Sequence, residues 1–308
     1  MLDSGIARTQ PADKRALKKY CDRVCGYASF IHGEKATDAL NDESGHGTRV
    51  AVQLMKTCPT AEIYICRVVK NVGNKPVVDK DAVEKAILQS IEKDNWAVDI
   101  INMSFGWNYN DHSGVSNAIA LAKARGVLLF ASTSNDGLTT PNDILYPALA
   151  DEVISVDAAD GVGEPAAFNP SSVLVPGKER FTAPGIGISS PVSEDLSDGT
   201  SFASPVAAGV AGLVLEFARQ NPLKNSPSVS SCLRQRHGMV LILRKMSKQK
   251  GVDQFSFLCP WELLGDEWDI YGGEGQLGSK RFFVAQAMVY YLRKFFGKEI
   301  GEEVFPIG

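Results

Sequence analysis

The chain has 308 residues, with 32 Lys and Arg against 36 Asp and Glu for a formal net charge of −4, and 44% of its residues are hydrophobic. These proportions exclude collagen-like and grossly disordered classes and leave enough chain for one large domain or two small ones. The one basic cluster, Arg244, Lys245, Lys248 and Lys250, is too small a footprint for nucleic acid, so no nucleic-acid partner is expected.

The start, Met1-Leu2-Asp3-Ser4-Gly5, has neither a basic end nor an apolar run. No uninterrupted apolar stretch reaches the roughly 18 residues that span a bilayer. The expectation is therefore no signal peptide, no membrane partner and an intracellular location. Cys21 and Cys25 with His32 suggest a metal clip, but no second close pair completes four ligands, and no metal site is expected. All six cysteines read as reduced thiols.

Apolar runs of strand length then alternate with helix-period segments, the pattern of a parallel sheet covered on both faces. Residues 63–69 read as a buried strand, and 79–94 as a helix with a stripe of Val83, Ile87, Leu88 and Ile91. Residues 98–104 read as the next strand and 113–125 as an Ala-rich helix closed by Gly126. Strands follow at 127–132 and 152–156. From 133 to 200 the chain is dense in Gly, Pro, Asn and Ser, which predicts loops broken by short strands near Val173 and Ile186. Helices are predicted at 201–220, rich in small residues with Pro205 near its first turn, at 230–248, and at 280–296 with an aromatic face. The fold class is α/β, a doubly wound, mostly parallel sheet. The boundary is placed at 1–264 for the main domain and 265–308 for an extension with one amphipathic helix.

Four segments carry chemistry when taken together: Leu2 to Gly5, Gly45-His46-Gly47-Thr48, Ser134-Asn135-Asp136-Gly137, and Gly199-Thr200-Ser201-Phe202-Ala203-Ser204-Pro205. A serine hydroxyl needs a base to take its proton, the base needs a carboxylate to fix its tautomer, and a developing oxyanion needs aimed donors. These segments supply one of each, in the order Asp, His, Ser. Singly, each has a plain reading: Asp3 as a terminal carboxylate, His46 as a structural histidine, Ser201 as a helix cap, Asn135 as a turn residue.

Order and motifs together resemble the subtilisin-like serine proteases, the subtilase family, over about residues 1–260. The resemblance implies a serine endopeptidase with Ser201 as nucleophile, His46 as general base and acid, Asp3 as orienting carboxylate and Asn135 as oxyanion donor. It further implies that Asn102 to Gly106 pairs with an extended peptide or protein substrate, with Ser104, Phe105 and Gly106 at the binding edge. No cofactor is required, and the sequence leaves structural calcium open. Trp107 stands where the family often has glycine, which predicts a narrowed cleft, and Ser134 precedes Asn135 where glycine is usual. Only Met1 and Leu2 precede Asp3, so the first core strand is expected to be a stub that holds Asp3 loosely. That expectation motivates an alternative reading, a weak or inactive peptide-binding module. Gly273 to Gly278 matches G-x-G-x-x-G but lacks room for a second strand, and reads as a loop.

Overall fold

The computed structural model describes residues 1–73, 75–108, 111–139, 144–171, 178–250, 255–264 and 277–306. In chain order the elements begin with β1 (Leu2–Asp3), α1 (Pro11–Ala16), α2 (Lys18–Cys21), β2 (Val24–Ser29), α3 (His46–Thr57) and β3 (Ile63–Arg67). A hairpin of β4 (Val69–Val72) and β5 (Lys75–Val78) leads to α4 (Lys80–Ile91), β6 (Ile100–Met103), α5 (Ser113–Ala124), β7 (Leu128–Ser132), β8 (Val153–Ala159) and β9 (Arg180–Pro184). A second hairpin, β10 (Ile188–Ser190) and β11 (Ser193–Ser197), precedes α6 (Thr200–Ala218), α7 (Pro227–Leu233) and α8 (Arg236–Lys245). The chain continues with β12 (Ser247–Lys250), β13 (Phe255–Leu258), α9 (Trp261–Leu264) and α10 (Leu277–Phe296).

Nine strands form one sheet in the order β12-β13-β9-β8-β7-β6-β1-β3-β2, parallel throughout except for the β12–β13 pair. The chain moves outward from β1 to β2 and β3, then crosses to β6 on its other side. That reversal of strand order opens a crevice at the carboxyl ends of β1 and β6, where open α/β sheets place their ligands. Apolar residues of α4 and α5 cover one face with Ile101, Met103 and Leu129. On the other face α6, α7, α8 and α10 pack on Phe130, Ile154, Val156 and Phe181, and α3 packs on Ile63 and Ile65. By length and composition α6 is apolar enough to cross a membrane, but it is mostly buried here as a core helix.

The central helices and strands follow the sequence pattern. Asp79 caps α4, accepting from Ala82 N at 3.0 Å, and α5 ends before Gly126, whose φ is +73°. Other expectations are corrected. The helix predicted over 230–248 is two helices and a strand. The chain extends at Gln235, because a continuous helix could not bring Gly238 so near Cys232 O that a Cβ there would lie 1.9 Å away. The strand predicted near Ile186 is split, with β9 ending before it and β10 beginning after it. Val173 and all but the last two residues of the Gly273 to Gly278 motif lie outside the described residues, as does the side chain of Cys21.

The loosely held first strand is also overturned. β1 is only two residues long, yet it is central, pairing Leu2 with Cys66 and Met103 and Asp3 with Arg67. Leu2 is fully buried and Asp3 is 1% exposed. Two residues suffice because each has a neighbour strand on both sides or a core layer beneath it.

Candidate active site

Asp3 ends β1 with its carboxylate at the sheet's carboxyl edge. Its Oδ1 accepts from the Ser4 backbone N–H at 2.8 Å and meets His46 Nδ1 at 2.7 Å. Since a carboxylate only accepts, the proton of the neutral ring sits on Nδ1 and Nε2 is left as the basic nitrogen. Asp3 Oδ2 is buried without a partner.

His46 opens α3, where the first backbone N–H groups lack helical acceptors. Side chains supply them: His46 N–H donates to Ser44 Oγ, Gly47 N–H to Ser4 Oγ and Thr48 N–H to Asp42 Oδ2 at 2.7 Å. Asp42 also accepts from the hydroxyls of Thr48 and Ser44. Arg67 donates to the carbonyls of Ser4 and Asn41 and so ties these turns to β3. Two glycines make the approach possible. Gly45 has φ +68°, and a Cβ on Gly47 would lie 2.3 Å from Gly5 O and 3.1 Å from Asp3 Oδ1.

The imidazole is about one third exposed. Burial disfavours its charged form and is the largest single influence. The charge and hydrogen bond of Asp3, with the charge of Asp42, together outweigh burial and the opposing charge of Arg49, so the His46 pKa lies above the ordinary 6.5.

Ser201 lies in the first turn of α6, and Phe202, beside it, packs on the His46 ring with centroids 5.3 Å apart. Its N–H enters no backbone hydrogen bond to the preceding loop, whereas Phe202 N–H reaches Gly199 O. Asn135 stands opposite. Its Oδ1 accepts from both the N–H and the hydroxyl of Thr200, at 2.9 and 3.0 Å, which fixes the amide so that Nδ2 is the outward donor. The Ser201 N–H and Asn135 Nδ2 are thus two donors at one helix start, where the dipole favours negative charge.

Pro205 has a specific consequence. It lacks the N–H that would bond Ser201 O in an α-helix, and the Ser104 hydroxyl donates to that carbonyl instead, at 2.7 Å. In return the Ser201 hydroxyl donates to Ser104 O at 3.0 Å, not to His46. Beneath, Asn102 donates to Ser104 Oγ and accepts from Ser204 Oγ, joining the end of β6 to α6.

Phe105 and Gly106 run past the sheet toward Trp107, which exchanges two backbone bonds of 2.9 Å with Tyr146. Their own backbone groups enter none of the loop hydrogen bonds among the described residues. The indole of Trp107 stacks on Phe105 and lies against Tyr146 and Lys80. Ser134 is buried and accepts from Asp136 N–H at 3.0 Å, shaping the turn that presents Asn135.

The structure thus brings Asp3 and His46 into contact and sets Ser201 and Asn135 around the start of α6. Sequence reasoning missed the roles of Ser4, Asp42, Thr200 and Ser204, and placed Asn102 in the substrate-pairing segment without its bonds to Ser104 and Ser204. Ser4, Thr200 and Ser204 lay within the quoted motifs, whereas nothing in the local sequence marked Asp42. No group of three or more His, Cys, Asp or Glu is placed to hold a metal among the described residues. A cavity of about 430 Å³, lined by Met1, Cys58, Ile63, Tyr64, Trp96, Asn102 and Gly212 among others, includes none of Asp3, His46, Asn135 and Ser201 in its lining.

Comparison with known proteins decides the family. A subtilase family model matches residues 1–244. The chain belongs to the subtilase family. It is 32% identical over 232 residues to Subtilisin DY of Bacillus licheniformis, covering 70% of this chain and 75% of that protein. Subtilisin Savinase of Lederbergia lenta is 30% identical over 227 residues, covering 70% and 74%. Against the Thermostable alkaline protease of Halalkalibacterium halodurans, at 32% identity, the match covers 70% of this chain and 55% of that protein, so the chain spans about half the length of some longer relatives. Among solved structures, a lanthipeptide protease matches with a TM-score of 0.63 and 22% identity over 85% of this chain and 84% of that one. The prenylagaramide maturation protease PagA matches with a TM-score of 0.59 and 21% identity over 85% and 90%. Both share the mostly parallel sheet with helices, so this chain has the subtilisin-like fold of a serine protease family.

Proposed function

We propose that this chain is a serine endopeptidase acting through Asp3, His46 and Ser201. The observation that carries the reading is the 2.7 Å contact between His46 Nδ1 and a buried Asp3 carboxylate, at the strand edge where α6 presents Ser201. An extended substrate pairs with the free backbone groups of Phe105 and Gly106 as an added strand. Rotation about one side-chain bond turns the Ser201 hydroxyl from Ser104 O toward the cleft. His46 Nε2 takes its proton as Oγ attacks the scissile carbonyl, and Asp3 stabilises the imidazolium that forms. The oxyanion is met by the Ser201 N–H and Asn135 Nδ2. His46 then protonates the leaving amine, and water releases the acyl group by the same proton path. No cofactor takes part.

The bond from Ser201 to Ser104 O is the observation that favours the second reading, a peptide-binding module without turnover. Hydrolysis of an unstructured protein such as denatured casein by the purified chain and by Ser201→Ala separates the two. Cleavage by the first and none by the second is expected. Equal, background-level cleavage by both, in folded samples, would favour the binding module.

A further inference from the structure

Arg49 follows His46 by three residues on α3 and is 7% exposed. Its guanidinium carbon lies 5.6 Å from the centre of the Phe202 ring, the ring that packs on His46. One terminal nitrogen donates to Asp195 O of β11 at 3.2 Å, and Nε is buried without an acceptor. Arg49 enters no ion pair among the described residues. A buried guanidinium without a carboxylate is an unfavourable way to fill space that an apolar side chain would fill without penalty. The same lack of a partner leaves its charge unneutralised beside the imidazole.

We propose that Arg49 is a positioning residue for the general base, holding Phe202 against His46 and opposing the negative field of Asp3 and Asp42 at the imidazole. The proposal rests on the peptidase reading above. The charged groups acting on His46 are Asp3 from β1, Asp42 from the loop before α3 and Arg49 from α3 itself. The start of α6 packs Phe202 on the ring and has no charged side chain, and β11 carries Glu194 and Asp195, which are exposed. Two carboxylates favour the imidazolium, which cannot accept the serine proton, and Arg49 is the cation that works against them. Its bond to Asp195 O also makes β11, which leads into the Ser201 turn, part of the support of the base.

NMR titration of the His46 ring tests this without requiring turnover. In Arg49→Met the midpoint is expected to rise by about 0.5–1 pH unit, and in Arg49→Lys to return most of the way. The acid limb of kcat/KM should move with it. If Arg49→Met does not fold, Arg49→Gln, which keeps a donor for Asp195 O, carries the same expectation. An unchanged midpoint in a folded, charge-removed variant overturns the proposal even if the enzyme is active. A shifted midpoint in a chain without any Ser201-dependent hydrolysis leaves the field effect standing and removes the peptidase reading instead.

Discussion

The two halves of the site are held in different ways. Asp3 and His46 sit in a lattice of fixed donors and acceptors, with Ser4, Ser44 and Asp42 capping the start of α3 and Arg67 bracing the turns behind. None of those bonds involves the cleft. On the other side Ser201 is partly exposed, Asn135 is exposed, and the Ser201 hydroxyl rests on Ser104 O. The Asp3–His46 half is therefore part of the folded core, while the Ser201 hydroxyl is held by a single bond to Ser104 O. Damage to the first half should reach stability as well as rate, and damage to the second should reach rate alone.

Ser201→Ala gives the largest expected effect, a fall in kcat of roughly 10⁴–10⁶-fold with the melting temperature nearly unchanged, the range being taken over from the subtilisin triad. Asp3→Ala should lower kcat by about 10⁴-fold and also cost about 2–4 kcal/mol in denaturant unfolding, because the buried pair loses one member. Equal stability of these two variants would break the comparison. Asn135→Ala should reduce kcat by about 10²–10³-fold with little change in KM, a size again borrowed from subtilisin. Asp42→Asn should lose about 1–3 kcal/mol while reducing kcat less than any of these, since Asp42 acts through Thr48, Ser44 and Ser4 and not on the substrate.

The smallest effect is that of pH. The raised His46 pKa places the acid limb of kcat/KM above 6.5. Its sign for stability is opposite. A folded pKa above the unfolded one means that protonated His46 adds stability fully present below pH 6.5 and lost as pH rises through the folded value. Activity should rise over the same window in which that increment disappears, and a comparison of His46→Gln with the parent by thermal unfolding across this range checks it.

Buried parallel strands and amphipathic helices were legible in the sequence because burial on both faces writes continuous apolar runs, as in Leu128–Ser132 and Val153–Ala159, whose residues are all buried. Edge strands were not. Val24–Ser29 carries Gly26 and half-exposed positions, and Ser247–Lys250 reads Ser-Lys-Gln-Lys, so only partners distant in sequence reveal them. The four chemistry-bearing segments were legible as motifs, but the anchoring of Asp3 was not. A two-residue strand has no periodicity to read, and its security comes from Cys66, Arg67 and Met103 across the ladder. Trp107 shows the same limit: its residue type suggested a narrowed cleft, but its contacts with Phe105 and Tyr146 depend on partners that its place in the sequence does not show.

Labelling with a fluorophosphonate, followed by peptide mass spectrometry to locate the adduct, tests most directly whether His46 and Asp3 activate Ser201. A single adduct on Ser201, abolished by Ser201→Ala and strongly slowed by His46→Ala and Asp3→Ala, is the expected result. A folded chain that takes no label, or takes it at Ser201 equally fast without His46, would contradict it.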